Sequence, residues 1–269
     1  MNVVDVFPGD GPVILAQPHS GTHIPAEIEA RLNARGRLLA DTDWHVGRLY
    51  DGLLPGATIV RANFHRYVID ANRAPSGESL YPGQNTTGLV PESDFDGEPI
   101  WRRGAIAIDT ERRREEFHSV YHRALEDQIS RLRKLHGVAV LYDCHSIRSH
   151  IPYLFEGTLP DLNIGTNNGE SCATALEEAV AEICAGSDYS HVVNGRFRGG
   201  WTTRHYGDPK NGVHAIQMEI AQSAYLESET PPFAYDETKA EKLRAVLREI
   251  LERAESLALG GKLNGVGND

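Results

Sequence analysis

Long apolar runs are missing from this sequence. No run approaches the ~18 residues that a membrane-spanning helix needs, and the start, MNVVDVFPGDGP, lacks the basic residues and apolar stretch of a signal peptide. Cysteine is also scarce, with three residues in 269. Cys172 and Cys184 lie on one predicted helix, roughly 18 Å apart at about 1.5 Å per residue, which is too far for a disulfide. We therefore expect a cytoplasmic protein without membrane spans.

The sequence has fewer basic than acidic residues, 27 against 38, which gives a formal net charge of −11. Neither nucleic acid nor an anionic membrane surface is expected as a partner, since neither would attract an acidic protein. An anionic small-molecule substrate would need arginines gathered locally. The 269 residues suit one domain over 1–269, in which about 260–269, GGKLNGVGND, form a disordered tail. The oligomeric state stays open.

Short apolar runs bounded by turn residues predict the strands. They cover residues 13–16, 57–60, 67–69, 138–142, 189–193 and 214–220. Between them lie helical patterns, and such alternation predicts an α/β fold of three layers, with a mostly parallel or mixed sheet and helices on both faces. Function is then expected at the carboxyl ends of the strands. Two long connections without periodicity, 74–106 and 147–169, are typical of lids or walls.

The clearest helical pattern follows Asp109, which is predicted to cap the helix, and it ends at Gly137. One apolar stripe runs along it, formed by Phe117, Tyr121, Leu125, Leu132 and Leu135. The last predicted helix opens at Asp236.

Histidine ends two predicted strands. His19 follows the apolar run of ILAQPHSGTHIP, and His145 ends the run VAVLYDCHS. One such histidine could simply bond to a loop carbonyl, but two at converging strand ends indicate metal ligands, because imidazole is the commonest metal-binding side chain. Side chains alternate along a strand, so Asp143 shares a face with His145 and is predicted to orient its ring. A loop cap is the alternative for Asp143.

A catalytic zinc usually has three protein ligands, so a third donor is needed. The segment LADTDWHVGRLYDGL offers Asp41, Asp43 and His45 at the start of a predicted helix. Asp41 is predicted to be the N-cap, which leaves Asp43 to point into the site. His23 is a rival ligand, but the turn-forming residues around it disfavour the helix that a two-histidine metal motif requires.

Polar residues interrupt the last predicted strand, HAIQMEIAQ. Gln217 and Glu219 lie on one face of it, and polar groups on a central strand must be paired or functional. Beside a metal-activated water, Glu219 would serve as the general base that takes a proton and passes it to the leaving nitrogen, with Gln217 as a supporting group. The alternative is an edge strand with Glu219 in water.

Arginine and asparagine mark two further candidate positions. RYVIDANRAP places Asn72 and Arg73 where a predicted strand meets a loop. Arginine matches a carboxylate with a planar fork and asparagine adds a donor, although a surface ion pair is the alternative. GRFRGGWTTRHYG adds Arg196, Arg198 and Arg204 around a double glycine, in a loop that could close over an anion or face solvent. Asn72 and Arg73, with Arg198 and Arg204, are the predicted substrate-binding residues.

Six ordered motifs resemble the N-formylglutamate amidohydrolase (deformylase) family over nearly the whole chain. They are PHSGTHIP, DTDWHVGRLYD, VIDANR, YDCHS, GRFRGGWTTRHYG and GVHAIQMEIAQSAY. That family is similar to the zinc carboxypeptidases, whose first ligand histidine lies in an HxxE turn, whose later histidine ends a strand and whose NR pair holds a substrate carboxylate. His19, His145 and the pair Asn72 and Arg73 match those positions.

The resemblance also places Glu219 where the family's catalytic glutamate lies on a late strand. One departure concerns Thr22, which stands where the HxxE turn has its glutamate. The carboxylate ligand must then come from elsewhere, and Asp43 is assigned to it by transfer.

The resemblance implies a zinc-carboxypeptidase-like (phosphorylase/hydrolase-like) fold. It also implies hydrolysis of N-formyl-L-glutamate to formate and L-glutamate, the closing step of one histidine-degradation route. The implied cofactor is Zn²⁺, with Co²⁺ or another divalent transition metal as alternatives. One alternative function is a related hydrolase that acts on another N-acyl amino acid or a peptide. A second is a non-catalytic metal or amino-acid binding module, in which Glu219 would have no reason to face the metal.

Overall fold

The computed structural model describes residues 2–79, 82–105 and 109–263. Within these ranges one sheet contains seven strands in the order β1-β3-β2-β4-β7-β5-β6. They are β1 Val4–Phe7, β2 Val13–Gln17, β3 Thr58–Ala62, β4 Ala139–Ile147, β5 Leu162–Gly165, β6 His191–Val193 and β7 Val213–Ala221. The central strands β3, β2, β4 and β7 are parallel, whereas β1 is antiparallel to β3 and β5 to β7. The predicted α/β class and mixed sheet are confirmed.

The two longest strands, β4 and β7, lie side by side at the centre of the sheet. They pair in register over nine residues each, from Ala139 opposite Val213 to Ile147 opposite Ala221. Every residue of both strands is buried, as expected where helices cover both faces. Their carboxyl ends therefore meet at the same edge, next to the end of β2.

The strand predictions err in three places. β1 and β5 were missed because a polar residue, Asp5 or Asn163, interrupts each short apolar run, and β5 lies inside a connection that was predicted to be irregular. The segment 67–69 is not a strand, so that prediction is wrong. Its residues form a turn and pack into the core beside β3, where their apolar side chains are fully buried without a strand ladder.

Helices cover both faces of the sheet. The core on one face receives α1 Ala26–Glu29 and α4 Ser119–His136, and the core on the other face receives α2 Val46–Tyr50, α5 Thr174–Ala185 and α7 Glu237–Leu259. A short helix, α3 Thr110–Arg113, continues into α4 through a π turn at Arg114–His118, and α6 Trp201–Tyr206 contacts β4 and β7.

The predicted features of α4 are mostly present. Gly137 ends the helix in the left-handed conformation, with φ of 76°. Leu132 is buried but Leu135 is 58% exposed, because an offset of three residues turns a side chain about 60° away from the core-facing direction. The prediction that Leu135 faces the core is wrong. Asp109 makes no side-chain cap, and its carboxylate instead lies 3.7 Å from the Arg112 guanidinium.

The last helix begins as predicted, because the Asp236 carboxylate accepts hydrogen bonds from the backbone N–H groups of Thr238 and Lys239. The tail was predicted to start too early. Leu263 is buried in the core and its carbonyl accepts a 2.7 Å hydrogen bond from His214 Nε2, so this one residue anchors the otherwise exposed turn at 260–263. Residues 264–269 lie outside the described residues. No described helix is long and apolar enough to cross a membrane.

Candidate active site

Three buried side chains converge at the carboxyl edge of the sheet. His19 follows β2 and His145 lies near the end of β4, with ring centroids 5.0 Å apart. Asp43 comes from the segment before α2, where its N–H donates to the carbonyl of His19 and its Oδ2 accepts from the N–H of Ser146. Donor atoms of His19, Asp43 and His145 all lie within 4.8 Å of one another.

Each of the two imidazoles has a buried carboxylate beside its Nε2 atom. His19 Nε2 lies 2.7 Å from Asp70 Oδ1, and His145 Nε2 lies 3.1 Å from Asp143 Oδ1. The Nδ1 atoms face Asp43 Oδ2, at 3.9 Å from His19 and 3.1 Å from His145. A carboxylate behind a histidine fixes the ring and its tautomer, which is the usual support for a metal ligand.

These residues fit a divalent transition metal. Two imidazole nitrogens and one carboxylate oxygen form a usual donor set for a catalytic zinc. Asp43 Oδ1 is buried and makes no hydrogen bond among the described residues, with the Arg66 guanidinium 3.6 Å away, so this oxygen retains lone pairs that a bound cation would use. The further negative charge of Asp70 and Asp143 favours a cation between the rings.

The electrostatics of the three candidate ligands are dominated by burial and by their mutual contacts. Burial lowers the pKa of His19 to about 4, and the Arg66 guanidinium adds to that effect. Burial also opposes a charge on His145, but Asp143 and Asp43 outweigh it and raise its pKa well above the usual range. Asp43 keeps a lowered pKa despite burial, because His145 and Arg66 stabilise its charge. The carboxylate is thus held in the ionised form that binds metal.

The alternative third ligands lie elsewhere. Asp41 Oδ2 accepts from the Tyr67 hydroxyl at 2.8 Å and from the N–H of Phe95 at 3.0 Å, so the prediction that it caps a helix is wrong. His45 precedes α2 and its Nε2 contacts the carbonyl of Phe233. His23 is exposed and lines a separate groove at the surface.

Glu219 lies on an interior strand beside the histidines. It is the register partner of His145, so both side chains stand on the same face of neighbouring strands. β7 lies between β4 and β5, so the edge-strand alternative is wrong. Gln217 Nε2 donates to Glu219 Oε2 at 2.9 Å, and Gln217 Oε1 accepts from the N–H of Gly200. Burial raises the pKa of Glu219 to about 7.

A cavity opens beside these groups, and three arginines line it. The lining includes His19, His145 and Glu219, together with Arg66, Asn72, Arg73, Thr86, Thr87, Phe95 and Arg196. Of the predicted arginines of the double-glycine loop, Arg196 reaches this lining. Arg198 is exposed, and Arg204 lies on α6, where its Nε donates to the carbonyl of Gly199 at 2.9 Å; neither is among the lining residues.

Arg73 is held by the long connection 74–106 that forms one wall. Its Nε donates to the carbonyl of Thr87, and its Nη2 donates to the hydroxyls of Thr86 and Thr87 at 3.1 and 3.2 Å. Among the described residues no carboxylate lies within 4.0 Å of it, so a surface ion pair does not account for its position. Asn72 is buried, with Nδ2 3.0 Å from His145 Nε2.

Sequence reasoning missed Arg66 and the role of Asp70. Arg66 is buried, contacts His19 Nδ1, lies 3.6 Å from Asp43 Oδ1 and packs its guanidinium over Phe95. The two residues flank the run 67–69, which was predicted to be a strand, and a charged residue at each end of that short apolar run was the available signal.

Known proteins resemble this chain over most of its length. The family model for N-formylglutamate amidohydrolase matches residues 11–226. The chain is 47% identical to the N-formylglutamate deformylase of Pseudomonas aeruginosa over 248 residues. This match covers 91% of this chain and 92% of that relative. It is 45% identical over 254 residues to the one of Pseudomonas putida, with coverages of 93% and 94%. The crystal structure of an N-formylglutamate amidohydrolase from Ralstonia eutropha JMP134 has a similar fold, with a TM-score of 0.76, 22% identity and coverages of 93% and 97%.

Proposed function

Because the chain belongs to the N-formylglutamate amidohydrolase family, we propose that it hydrolyses N-formyl-L-glutamate to formate and L-glutamate. The observation that carries this proposal is the 47% identity, over nearly the full length of both chains, to a relative named N-formylglutamate deformylase. The site supplies what the substrate requires, because three arginines surround a hydrolytic centre in a protein of net charge −11. The proposed partner is thus a small dianionic molecule.

The proposed cation is Zn²⁺, held by His19, Asp43 and His145, and Co²⁺ suits the same donors. When bound, such a cation supplies Lewis acidity that activates water and polarises a carbonyl oxygen. Asp70 and Asp143 keep the two imidazoles oriented through their Nε2 atoms.

Glu219 is the proposed general base. Gln217 donates to Oε2, which leaves Oε1 to take the proton of the attacking water and to deliver it to the amide nitrogen as the C–N bond breaks. A pKa of about 7, raised by burial, suits a group that must both accept and donate a proton near neutrality. Arg66, which contacts His19, is the proposed group that stabilises the negative charge developing on the formyl oxygen.

The proposal extends to the fold. Two ligand histidines at the ends of adjacent parallel strands, with a glutamate on the next strand, support the zinc-carboxypeptidase-like architecture that the sequence motifs imply. The burial of Glu219 against His145 favours a catalytic centre over a binding module, because a module would gain nothing from a desolvated carboxylate there.

The test is formate release from N-formyl-L-glutamate by the purified protein, with the metal content measured in the same sample. We expect equimolar formate and L-glutamate, loss of both after chelation and recovery with Zn²⁺. Absence of formate would contradict the substrate assignment, and faster cleavage of N-acetyl-L-glutamate or of a dipeptide would favour the broader hydrolase. Full activity after complete metal removal would contradict the assigned role of the cation.

Arg73 is expected to hold a substrate carboxylate. Arg73→Lys keeps the charge but removes the planar guanidinium, whose Nε, Nη1 and Nη2 all donate to the cavity wall and hold the charge in place, so kcat/KM should fall by about ten- to a hundredfold, the usual worth of a charged hydrogen bond. N-formyl-L-glutamine separates the two carboxylates, because it lacks only the one on the side chain. Equal losses on both substrates would assign Arg73 to the α-carboxylate, and a loss on N-formyl-L-glutamate alone would assign it to the side chain.

The matched control is Arg198→Lys, an exposed arginine that is not among the residues lining the cavity. It should leave kcat/KM within about twofold of the wild type, since surface substitutions are usually near neutral. An Arg73→Lys variant that behaves like this control on both substrates would remove Arg73 from the substrate site.

A further inference from the structure

Asn72 connects both candidate ligand histidines. Its backbone N–H donates to Asp70 Oδ1 at 2.8 Å, and the same oxygen contacts His19 Nε2. Its side-chain Nδ2 lies 3.0 Å from His145 Nε2. Arg73 is the next residue, so the position of this short turn sets the position of the Arg73 guanidinium.

His118, the last residue of the π turn, and His122, in the first turn of α4, hold the backbone on either side of Asn72. His122 Nε2 donates to the carbonyl of Ala71 at 2.8 Å, and His118 Nε2 donates to the carbonyl of Arg73 at 2.9 Å. Both rings are buried, with 5% and 2% of their surface exposed. A spacing of four residues places them on one helix face about 6 Å apart, within reach of two carbonyls that flank a single residue.

The carbonyl partners fix the tautomer of both rings. A carbonyl oxygen only accepts, so each Nε2 must carry a proton. His122 Nδ1 lies 3.0 Å from the Tyr206 hydroxyl, which can donate to it when the ring is neutral. Burial lowers the pKa of His118 and of His122, and this keeps both rings neutral.

The helix α6 closes on Asn72 from the other side. The N–H of Thr202 donates to Asn72 Oδ1 at 2.8 Å, and the Trp201 ring lies 4.6 Å from the His122 ring. A Cβ atom on Gly200 would lie 2.2 Å from Asn72 Nδ2, so only glycine permits this approach. Asn72 therefore lies between His118 and His122 on one side and the first turn of α6 on the other.

We propose that His118 and His122 are positioning residues for the substrate carboxylate. They act through the carbonyls of Ala71 and Arg73 to fix the Asn72 amide and the Arg73 guanidinium at the cavity wall. Neither histidine is among the cavity-lining residues, so their effect is exerted through the backbone of the turn. This inference rests on the proposed function, in which Asn72 and Arg73 bind that carboxylate.

Two substitutions separate a hydrogen-bonding role from mere packing. Phenylalanine keeps a ring of similar shape and removes the Nε2–H donor. Glutamine loses the ring but can place its amide Nε2 near the position of the imidazole Nε2. If the two rings only fill space, phenylalanine should preserve KM better than glutamine. If their Nε2–H groups hold the turn by hydrogen bonds, glutamine should preserve KM better.

We expect His118→Phe and His122→Phe to raise KM for N-formyl-L-glutamate about tenfold each, which corresponds to about 1.4 kcal/mol of lost binding. The turnover number and the metal content should change little. His118→Gln and His122→Gln should keep KM within about twofold of the wild type. The matched control is His205→Phe, because His205 stacks on Trp201 in the same aromatic cluster, 4.2 Å between centroids, and its ring is more exposed.

Unchanged KM in both phenylalanine variants, with a lowered melting temperature, would overturn the inference and leave the rings a packing role. If a phenylalanine variant does not fold, His118→Asn against His118→Gln decides, because the shorter amide stops short of the carbonyl. Equal KM values in that pair would also overturn the inference.

Calorimetric binding of L-glutamate gives a readout that needs no turnover, and the phenylalanine variants should bind it about tenfold more weakly than the wild type. A wild type that binds L-glutamate but releases no formate would contradict the proposed hydrolysis alone. Histidine variants that hydrolyse N-formyl-L-glutamate with unchanged KM would contradict this inference alone.

Discussion

Glu219→Gln is expected to lower the turnover number by about two to four orders of magnitude, the usual contribution of a general base. The amide is nearly isosteric with the carboxylate and can still pair with Gln217, so the strand should keep its structure. It cannot take a proton from water, however. The measurement is the steady-state rate of formate release, alongside metal content and the binding of L-glutamate.

The metal content and the affinity for L-glutamate of Glu219→Gln should both match the wild type, because Glu219 is not one of the three candidate ligands. A near-normal turnover number would give Glu219 a structural role. Loss of metal in Glu219→Gln would instead show that Glu219 is a metal ligand and contradict its assignment as the general base.

His19→Ala and His145→Ala should each lose bound metal and activity together, because each removes one of the three proposed ligands found among the described residues. We expect less than about a tenth of the wild-type metal content, since even supporting residues change metal affinity by 10- to 100-fold. Metal analysis after dialysis and circular dichroism measure the two effects separately. His214→Ala is the matched control, since His214 is also buried but bonds to Leu263 far from the site.

The two aspartates of the same segment sharpen this test. Asp43→Ala should lose the metal as the histidine variants do, whereas Asp41→Ala should keep it and loosen the wall that Phe95 belongs to. The opposite result would exchange the roles of the two residues. Stoichiometric metal in both histidine variants would remove the assigned centre altogether.

The sequence predicted the parts of this site that lie on regular strands. His19, His145 and Glu219 each stand at or near a strand end in an otherwise apolar run, and the period of two fixes which neighbours share their face. Asp143 was found beside His145 for the same reason, and the structure places its Oδ1 3.1 Å from the ring.

What escaped prediction depends on contacts between segments far apart in the chain. Asp70 lies 51 residues from the His19 ring that it contacts, and Arg66 reaches the site from a buried turn that looks like a strand in the sequence. Local patterns also could not say that Arg196 is the arginine of the double-glycine loop that lines the cavity, because it donates to the carbonyls of Leu154 and Asn85, which lie 42 and 111 residues away in the chain.

The full-length pairing of β4 with β7 restricts where this chain can change in length. One residue added to or deleted from β7 ahead of Glu219 would turn its carboxylate to the opposite side of the sheet and present Met218 or Ile220 to His145. Such a protein could bury as much apolar surface as before and still have no base. Insertions and deletions compatible with activity are therefore confined to the connections. The lengths of β4 and β7 are fixed by the need to keep Glu219 opposite His145, and not only by stability.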